Sequence, residues 1–297
     1  MIPDSPHVLS ADAIAAELHT ARVGRRVAVL PEIDSTNTFA LQTLAPQSGA
    51  DADGTAVFAE RQTAGRGRLG RQWHSPAGAS VMCTILLNEP RNAARPAFWM
   101  TGAAVAVART IERTTDVSPQ IIWPNDIYVG EKKLAGILVE AKVTGCSPET
   151  LDTHRVEVLA PREIARRDQR SSQFAAWIAI GIGINCLQQP MHFPEPLRAC
   201  STSLHIESRD PIDRLAIARR LLRELDGLFA EPACVSDDEL TAEWCRRSAD
   251  IGRRVTLISG QEHVSGVILD IHPRDGLVLQ PDVGSRRHFD PATTSRA

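Results

Sequence analysis

Glu60-Arg61-Gln62-Thr63-Ala64-Gly65-Arg66-Gly67-Arg68-Leu69-Gly70-Arg71-Gln72-Trp73 is the stretch on which the reading of this chain turns. Four arginines and three glycines fall within eleven residues, and no Asp or Glu appears from Arg61 through Asn88. Glycine lets a backbone approach a ligand closely, and arginine offers a planar fork that fits carboxylate and phosphate oxygens. An apolar run, Thr55 to Glu60, feeds the loop, and Ser80 to Leu87 leaves it as a second buried strand. Gly65-x-Gly67-x-x-Gly70 spells the dinucleotide fingerprint, which also requires that its last glycine open a helix. Gln72-Trp73-His74-Ser75-Pro76 follows instead, so the match is a decoy and a doubly wound dinucleotide fold is set aside. Three readings remain for the loop alone: an anion cradle, an RG-type nucleic-acid segment, or a solvated surface loop.

Working outward, composition narrows the class. The 297 residues are 43% apolar and 23% charged, ordinary for a globular protein of one large domain with an appendage, or of two domains. A formal net charge of −3 argues against general nucleic-acid binding, which usually needs a basic face. Aromatics are scarce at 4%, so the core rests on Ala, Val, Ile and Leu. Cys83, Cys146, Cys186, Cys200, Cys234 and Cys245 form no CxxC pair, which suggests neither a zinc site nor a redox motif. The N-terminus has no basic region and apolar core of a secretory signal, and no apolar run reaches the ~20 residues that span a membrane. The expectation is a soluble, cytoplasmic protein.

Along the chain, Ala11 to Arg22 reads as a short helix with Ser10 as its N-cap, and Val27 to Leu30 as a strand. Asp34-Ser35-Thr36-Asn37 supplies cap chemistry before Phe39, Leu41 and Leu44 at helical spacing. Ala97 to Ile111 is a long helix. Ile121-Ile122-Trp123 starts a strand stopped by Pro124-Asn125-Asp126, and Ile127 to Glu140 is a hairpin around Gly130. Residues 144–173 read as a polar insertion, with one strand candidate at Val156 to Leu159. Trp177 to Asn185 is a central strand whose alternate glycines, Gly181 and Gly183, leave one face bare for a ligand or another backbone. Leu215 to Phe229 and Glu239 to Arg247 are amphipathic helices. Beyond Gly252 only short strands follow: Val255 to Ile258, Val264 to Ile271, Gly276 to Gln280 and Arg286 to Phe289.

Outside the loop, two motifs carry chemistry. Asn125-Asp126 places an amide and a carboxylate at a strand end, either as a local turn or to orient an arginine or a metal-bound nucleotide. Lys133 is either a surface lysine or a point charge for a phosphate that gains negative charge. No organised nucleophile set, Walker A sequence or kinase signature is present. The residues by themselves give an anion-activating α/β enzyme.

Five segments in order resemble the biotin–protein ligases: Asp34 to Asn37, Glu60 to Trp73, Trp123 to Asp126, Lys133 to Glu140 and Gly181 to Asn185. The resemblance implies a mixed-sheet α/β (α+β) catalytic domain of the biotin/lipoate ligase type with a small C-terminal SH3-like β-barrel. Its implied organisation is an extension at 1–26, a catalytic domain at 27–248 carrying the insertion 144–173, and the SH3-like domain at 249–297. It implies that biotin and ATP with Mg²⁺ give biotinyl-5′-adenylate and pyrophosphate. The biotinyl group then passes to a lysine of a biotin carboxyl carrier domain, as in acetyl-CoA carboxylase.

On that resemblance Ser35, Thr36, Asn37 and Gln62 hold the ureido end of biotin, beside Gly65 and Gly67. Arg66 and Arg68 clamp the biotin carboxylate and the α-phosphate, and Lys133, which the resemblance also counts among the biotin-binding residues, stabilises charge on that phosphate. Trp73 covers the adenylate, Asn185 reads adenine, and Arg71, Asn125 and Asp126 organise the nucleotide end. The empty loop is expected to be mobile, its like charges lacking partners until anions arrive. Three departures stand out: Ile122 where the family commonly has Lys, a longer link between Val139 and Ile178, and only about 26 residues before the core. A winged helix-turn-helix needs about 60 residues, so the expectation is a ligase only, monomer or homodimer, acting on no nucleic acid or membrane. The rivals are a lipoate or octanoate ligase-like transferase and a biotin-sensing repressor.

Overall fold

The computed structural model describes residues 8–89, 96–144, 175–230 and 235–297. Seven strands form the main sheet: β1 (Arg26–Leu30), β2 (Thr55–Ala59), β3 (Ser80–Asn88), β4 (Gln120–Ile122), β5 (Asp126–Val129), β6 (Lys132–Thr144) and β7 (Ala175–Asn185). Their spatial order is β1-β2-β3-β7-β6-β5-β4. The β1–β2 pair is parallel and every other pair antiparallel, so the sheet is mixed as the sequence leads one to expect.

Period-2 alternation gives the two faces different work. Cys83, Ile85 and Leu87 of β3, with Ile178, Ile180, Ile182 and Ile184 of β7, pack against the helices Pro96–Thr114 and Arg214–Phe229 in the large core. On the opposite face, Leu86, Trp177 and Ala179 are covered by Ala40, Leu41 and Ala45. The rest of that face carries Met82, Thr84, Gly181 and Gly183, which leave a shallow floor. This floor is where the site lies.

Five further strands form an antiparallel sheet in the order β11-β10-β9-β8-β12. They are β8 (Arg254–Ser259), β9 (Glu262–His272), β10 (Gly276–Pro281), β11 (Arg287–Phe289) and β12 (Thr294–Arg296). The arrangement is compatible with the SH3-like expectation. The sequence pattern missed β12, a short strand without an apolar run, which pairs with β8 through Thr294, Ser295 and Arg296.

Two local expectations are corrected. The first helix covers only Ala11–Ala15, because Glu17 and His19 take positive φ (56° and 51°) and break it well before Arg22. The helical run after Ser35 is Thr36–Phe39, a π-type stretch Ala40–Leu44 and Ala45–Ser48 rather than one regular helix. The predicted insertion, with its strand candidate at Val156 to Leu159, lies outside the described residues save Thr144, which ends β6.

Candidate active site

The Gly/Arg loop folds as a small hairpin. The Trp73 N–H donates to the Gly65 carbonyl (2.9 Å), and the Gly67 N–H to the Arg71 carbonyl (2.7 Å). A Cβ on Gly65 would sit 2.7 Å from the Trp73 carbonyl oxygen, so glycine is required there. Leu69 (φ 54°) and Gly70 (φ 75°) turn the tip, and no helix follows, in keeping with the rejected dinucleotide fingerprint.

Each arginine of the hairpin already has a protein partner. Arg66 pairs with Glu140 of β6 at 2.7 Å. Arg68 donates to Asn125 Oδ1 (3.1 Å) and to the carbonyls of Pro291 and Thr294. Arg71 donates to Ser295 Oγ (3.3 Å) and the Arg296 carbonyl (2.7 Å). The expectation that like charges stand unpartnered in the empty loop is therefore corrected: Glu140, Asn125, Ser295 and carbonyls of the C-terminal segment 291–296 hold them. Burial lowers the Arg68 pKa, and Asp126 opposes that shift, so the guanidinium stays charged.

Across the cavity, Lys133 Nζ approaches Asp126 Oδ1 to 2.6 Å. That oxygen makes no well-aligned hydrogen bond, so the contact is electrostatic. Asn125 is fixed from both sides, since its Nδ2 donates to the Ile137 carbonyl (2.7 Å) while its Oδ1 takes Arg68. Tyr128 also lines the cavity, its phenol pushed up to about 12 by burial and by Asp126, and therefore neutral.

At the other end Ser35, Thr36 and Asn37 meet Gln62, because Ile33 pairs with Gln62 in continuation of the β1–β2 register. Gln62 Oε1 accepts the Thr36 N–H at 2.8 Å. Trp73 lays its indole on the bare strands: a Cβ on Gly183 would meet Trp73 Cε2 at 2.6 Å. Asn185 has its amide set by two buried partners, donating to the Thr202 carbonyl (2.9 Å) and accepting from Gln188 Nε2 (2.9 Å).

These groups line one cavity of about 310 Å³. Of the residues predicted from sequence only Gly65 is not on its wall, and Gly65 closes the hairpin behind it. Sequence reasoning missed Thr84, Glu140, Gln188, Tyr128, Ser295 and Arg296. Glu140 was inside a quoted motif and Gly181 marked the bare face, but no spacing signals Thr84 or the C-terminal carbonyls.

A family model described as the biotin/lipoate A/B protein ligase family matches residues 29–147. The Bifunctional ligase/repressor BirA of Bacillus subtilis is 33% identical over 96% of this chain and 78% of its own length. The chain belongs to the biotin–protein ligase family. The biotin–[acetyl-CoA-carboxylase] ligase of Mycobacterium tuberculosis is 32% identical over 88% of this chain and 85% of that protein. A biotin protein ligase from Aquifex aeolicus solved in complex with biotin and ATP superposes with a TM-score of 0.64 over 92% of this chain and 99% of that chain. At 24% identity it supports the fold. The Gly/Arg loop, Trp123 to Asp126 and Gly181 to Asn185, on which the resemblance to that family rested, all contribute to the wall of the one cavity.

Proposed function

We propose that this ligase joins biotin to a lysine of a carrier domain through biotinyl-5′-adenylate, using ATP. The observation that carries the reading is the meeting, in one cavity, of a cationic end and a neutral polar end. Arg66, Arg68 and Lys133, with Arg71 and Arg296 on the same wall, make the cationic end, and Ser35, Thr36 and Gln62 the polar end. A ligand with a carboxylate at one end and an uncharged hydrogen-bonding ring at the other fits that order.

A biotin carboxylate oxygen attacks the α-phosphorus of ATP, and the bond from that phosphorus to the pyrophosphate oxygen breaks. Two anions must meet, so their repulsion has to be offset before attack. Arg66 exchanges Glu140 for the incoming carboxylate, Arg68 bridges carboxylate and phosphate, and Lys133 stabilises charge on the phosphate in the transition state. In the second step a carrier lysine amine attacks the adenylate carbonyl, and AMP leaves. Trp73 covers the adenylate on the floor of Gly136 and Gly183, Asn185 reads the adenine edge, and Arg71 and Asn125 order the nucleotide end. Among the described residues Asp126 is the one Asp or Glu side chain on the wall, which suits Mg²⁺ carried on nucleotide phosphates, since that ion takes few protein oxygens. Bound there it would shield charge on the departing pyrophosphate.

Residues 27–248 are read as the catalytic domain and 249–297 as a domain that supplies the carbonyls holding Arg68 and Arg71. The test is the mass of a biotin carboxyl carrier domain after incubation with this protein, biotin and ATP. Gain of one biotinyl group on its lysine is expected. Pyrophosphate exchange driven by lipoate or octanoate and not by biotin would replace this reading with the lipoate-type transferase.

A further inference from the structure

We propose that Tyr128 is a further catalytic residue of the adenylation step, its phenolic hydroxyl donating a hydrogen bond to the pyrophosphate as it leaves. The inference rests on the ligase reading above and adds a group that the reading does not use. Its placement begins with a β-bulge. Lys133 and Gly136 both line the cavity, yet residues an odd number apart on a regular strand face opposite ways. Asp126 pairs with Gly136 and Ile127 with Ala135, but Tyr128 pairs with Lys133, so Leu134 is the extra residue on β6. A bulge of this kind re-aims the side chains beside it. Here it sets Lys133 opposite Tyr128 on the cavity face, while Leu134 is fully buried in the core.

The phenol is available there. Tyr128 is half-buried on the wall, and its hydroxyl makes no hydrogen bond to another described residue. Burial and the Asp126 carboxylate push it up to about 12, so it holds its proton at neutral pH. The charges of Arg296 and Arg71 act on the phenol in the opposite sense, and Arg71 reaches the Arg296 carbonyl at 2.7 Å. Hydroxyl, hairpin and C-terminal strand thus border one part of the wall.

Strand order gives the direction of the reaction. Ser35 and Gln62, at the polar end, follow β1 and β2, Gly181 and Gly183 lie on β7, Lys133 on β6 and Tyr128 on β5. In-line displacement sends the leaving group away from the attacking oxygen. With the carboxylate arriving from the β1–β2 side and the α-phosphate held at Lys133, the pyrophosphate departs toward β5. As the bond from the α-phosphorus to the bridging oxygen breaks, its electron pair stays with the pyrophosphate, whose negative charge rises. The neutral O–H stabilises that charge by a hydrogen bond alone, and the proton stays on the phenol.

Tyr128→Phe keeps the ring and removes the hydroxyl. Biotin-dependent pyrophosphate exchange should fall about tenfold in kcat, the scale of one hydrogen bond to a charged group. Transfer from supplied biotinyl-5′-adenylate to the carrier lysine involves no pyrophosphate and should keep its rate within about twofold. A merely structural role would slow both half-reactions together, and an unslowed exchange would take the hydroxyl out of the chemistry; either result overturns the proposal.

A second measurement needs no variant. Tyr128 is the one tyrosine of the chain, so protein grown on tyrosine labelled with ¹³C at the hydroxyl-bearing carbon gives a single signal from it. ATP well above its KM, without biotin, should shift that signal, whereas AMP, which lacks the leaving group, should leave it in place. A signal unmoved by ATP, or moved equally by AMP, overturns the assignment to the pyrophosphate. If the unmodified chain showed no biotin-dependent exchange, the ligase reading would fail and this role with it. Normal exchange in both the unmodified chain and Tyr128→Phe overturns the role of Tyr128 alone.

Discussion

Lys133 Nζ stands 2.6 Å from Asp126 Oδ1: Lys133 pairs in register with Tyr128, and its side chain reaches along the β5–β6 hairpin to the carboxylate. The carboxylate keeps the ammonium on the cavity wall while leaving its approach to an incoming phosphate open, because the Lys133 side chain is still 30% exposed. Lys133→Ala is expected to reduce biotin-dependent pyrophosphate exchange about 10²- to 10³-fold, the usual scale for losing one transition-state charge partner. Lys133→Arg should recover little, since a planar fork cannot replace a compact point charge in this geometry. Biotin binding measured without ATP should be nearly unchanged. Near-normal exchange by the alanine variant would remove Lys133 from the chemistry.

The two bare glycines of β7 make a reciprocal prediction. A methyl group on Gly181 would strike Asn37, and one on Gly183 would strike the Trp73 indole. Gly181→Ala should raise the KM for biotin about tenfold or more and spare the KM for ATP, because overpacking displaces the polar end. Gly183→Ala should do the reverse. Steady-state kinetics with each substrate varied in turn decide it; parallel effects on both constants would mean that the two ends are not separate subsites.

How far the sequence could lead is clearest at the arginine loop. Its glycines, its charge and the neighbouring motifs pointed to residues that do line the cavity, all but Gly65, because each belongs to a contiguous motif whose side chains touch it. What stayed hidden were the partners. Arg68 and Arg71 are held mainly by backbone carbonyls of residues 291–296, and a carbonyl belongs to every residue type. Thr84 is one polar residue in the apolar run Ser80 to Leu87, and only the β3–β7 register brings it over Gly181. The first helix was overread because apolar spacing at Ile14 and Leu18 says nothing about the positive φ at Glu17.

Asp250 joins the two sheets. Fully buried, it accepts the Trp123 N–H at 2.8 Å and pairs with Arg296 at 2.5 Å, while Arg296 Nε donates to the Trp123 carbonyl. Asp250→Ala strands a mostly buried guanidinium and should cost about 3 kcal/mol in denaturant unfolding. Adding Arg296→Met should return much of that loss. Burial raises the Asp250 pKa despite Arg296 and the Trp123 N–H, so the folded protein holds this proton more tightly than the unfolded chain. Its contribution to stability is then full below the unfolded carboxylate pKa, about 3.9, and falls as pH rises through the folded value. Asp250→Asn should remove that part of the slope. An unchanged pH–stability curve in the Asn variant would show that the group does not titrate differently in the two states.

Thiol chemistry offers a check on the cavity that requires no substitution. Burial pushes the Cys83 and Cys186 thiols up to about 12, so at pH 8 only about one in ten thousand is the reactive thiolate. Cys200 is exposed and lines the cavity, and its carbonyl accepts the Lys133 N–H at 2.8 Å. Brief alkylation of the native protein at pH 8, read by peptide mass mapping, should therefore label Cys200 and spare Cys83 and Cys186. Saturating biotin with ATP should slow the labelling of Cys200 severalfold, because the adenylate would lie against the wall that carries it. Ligand-independent labelling at Cys200 would place the bound nucleotide elsewhere. Rapid labelling of Cys83 would mean that the β3–β7 core opens on the timescale of the reaction.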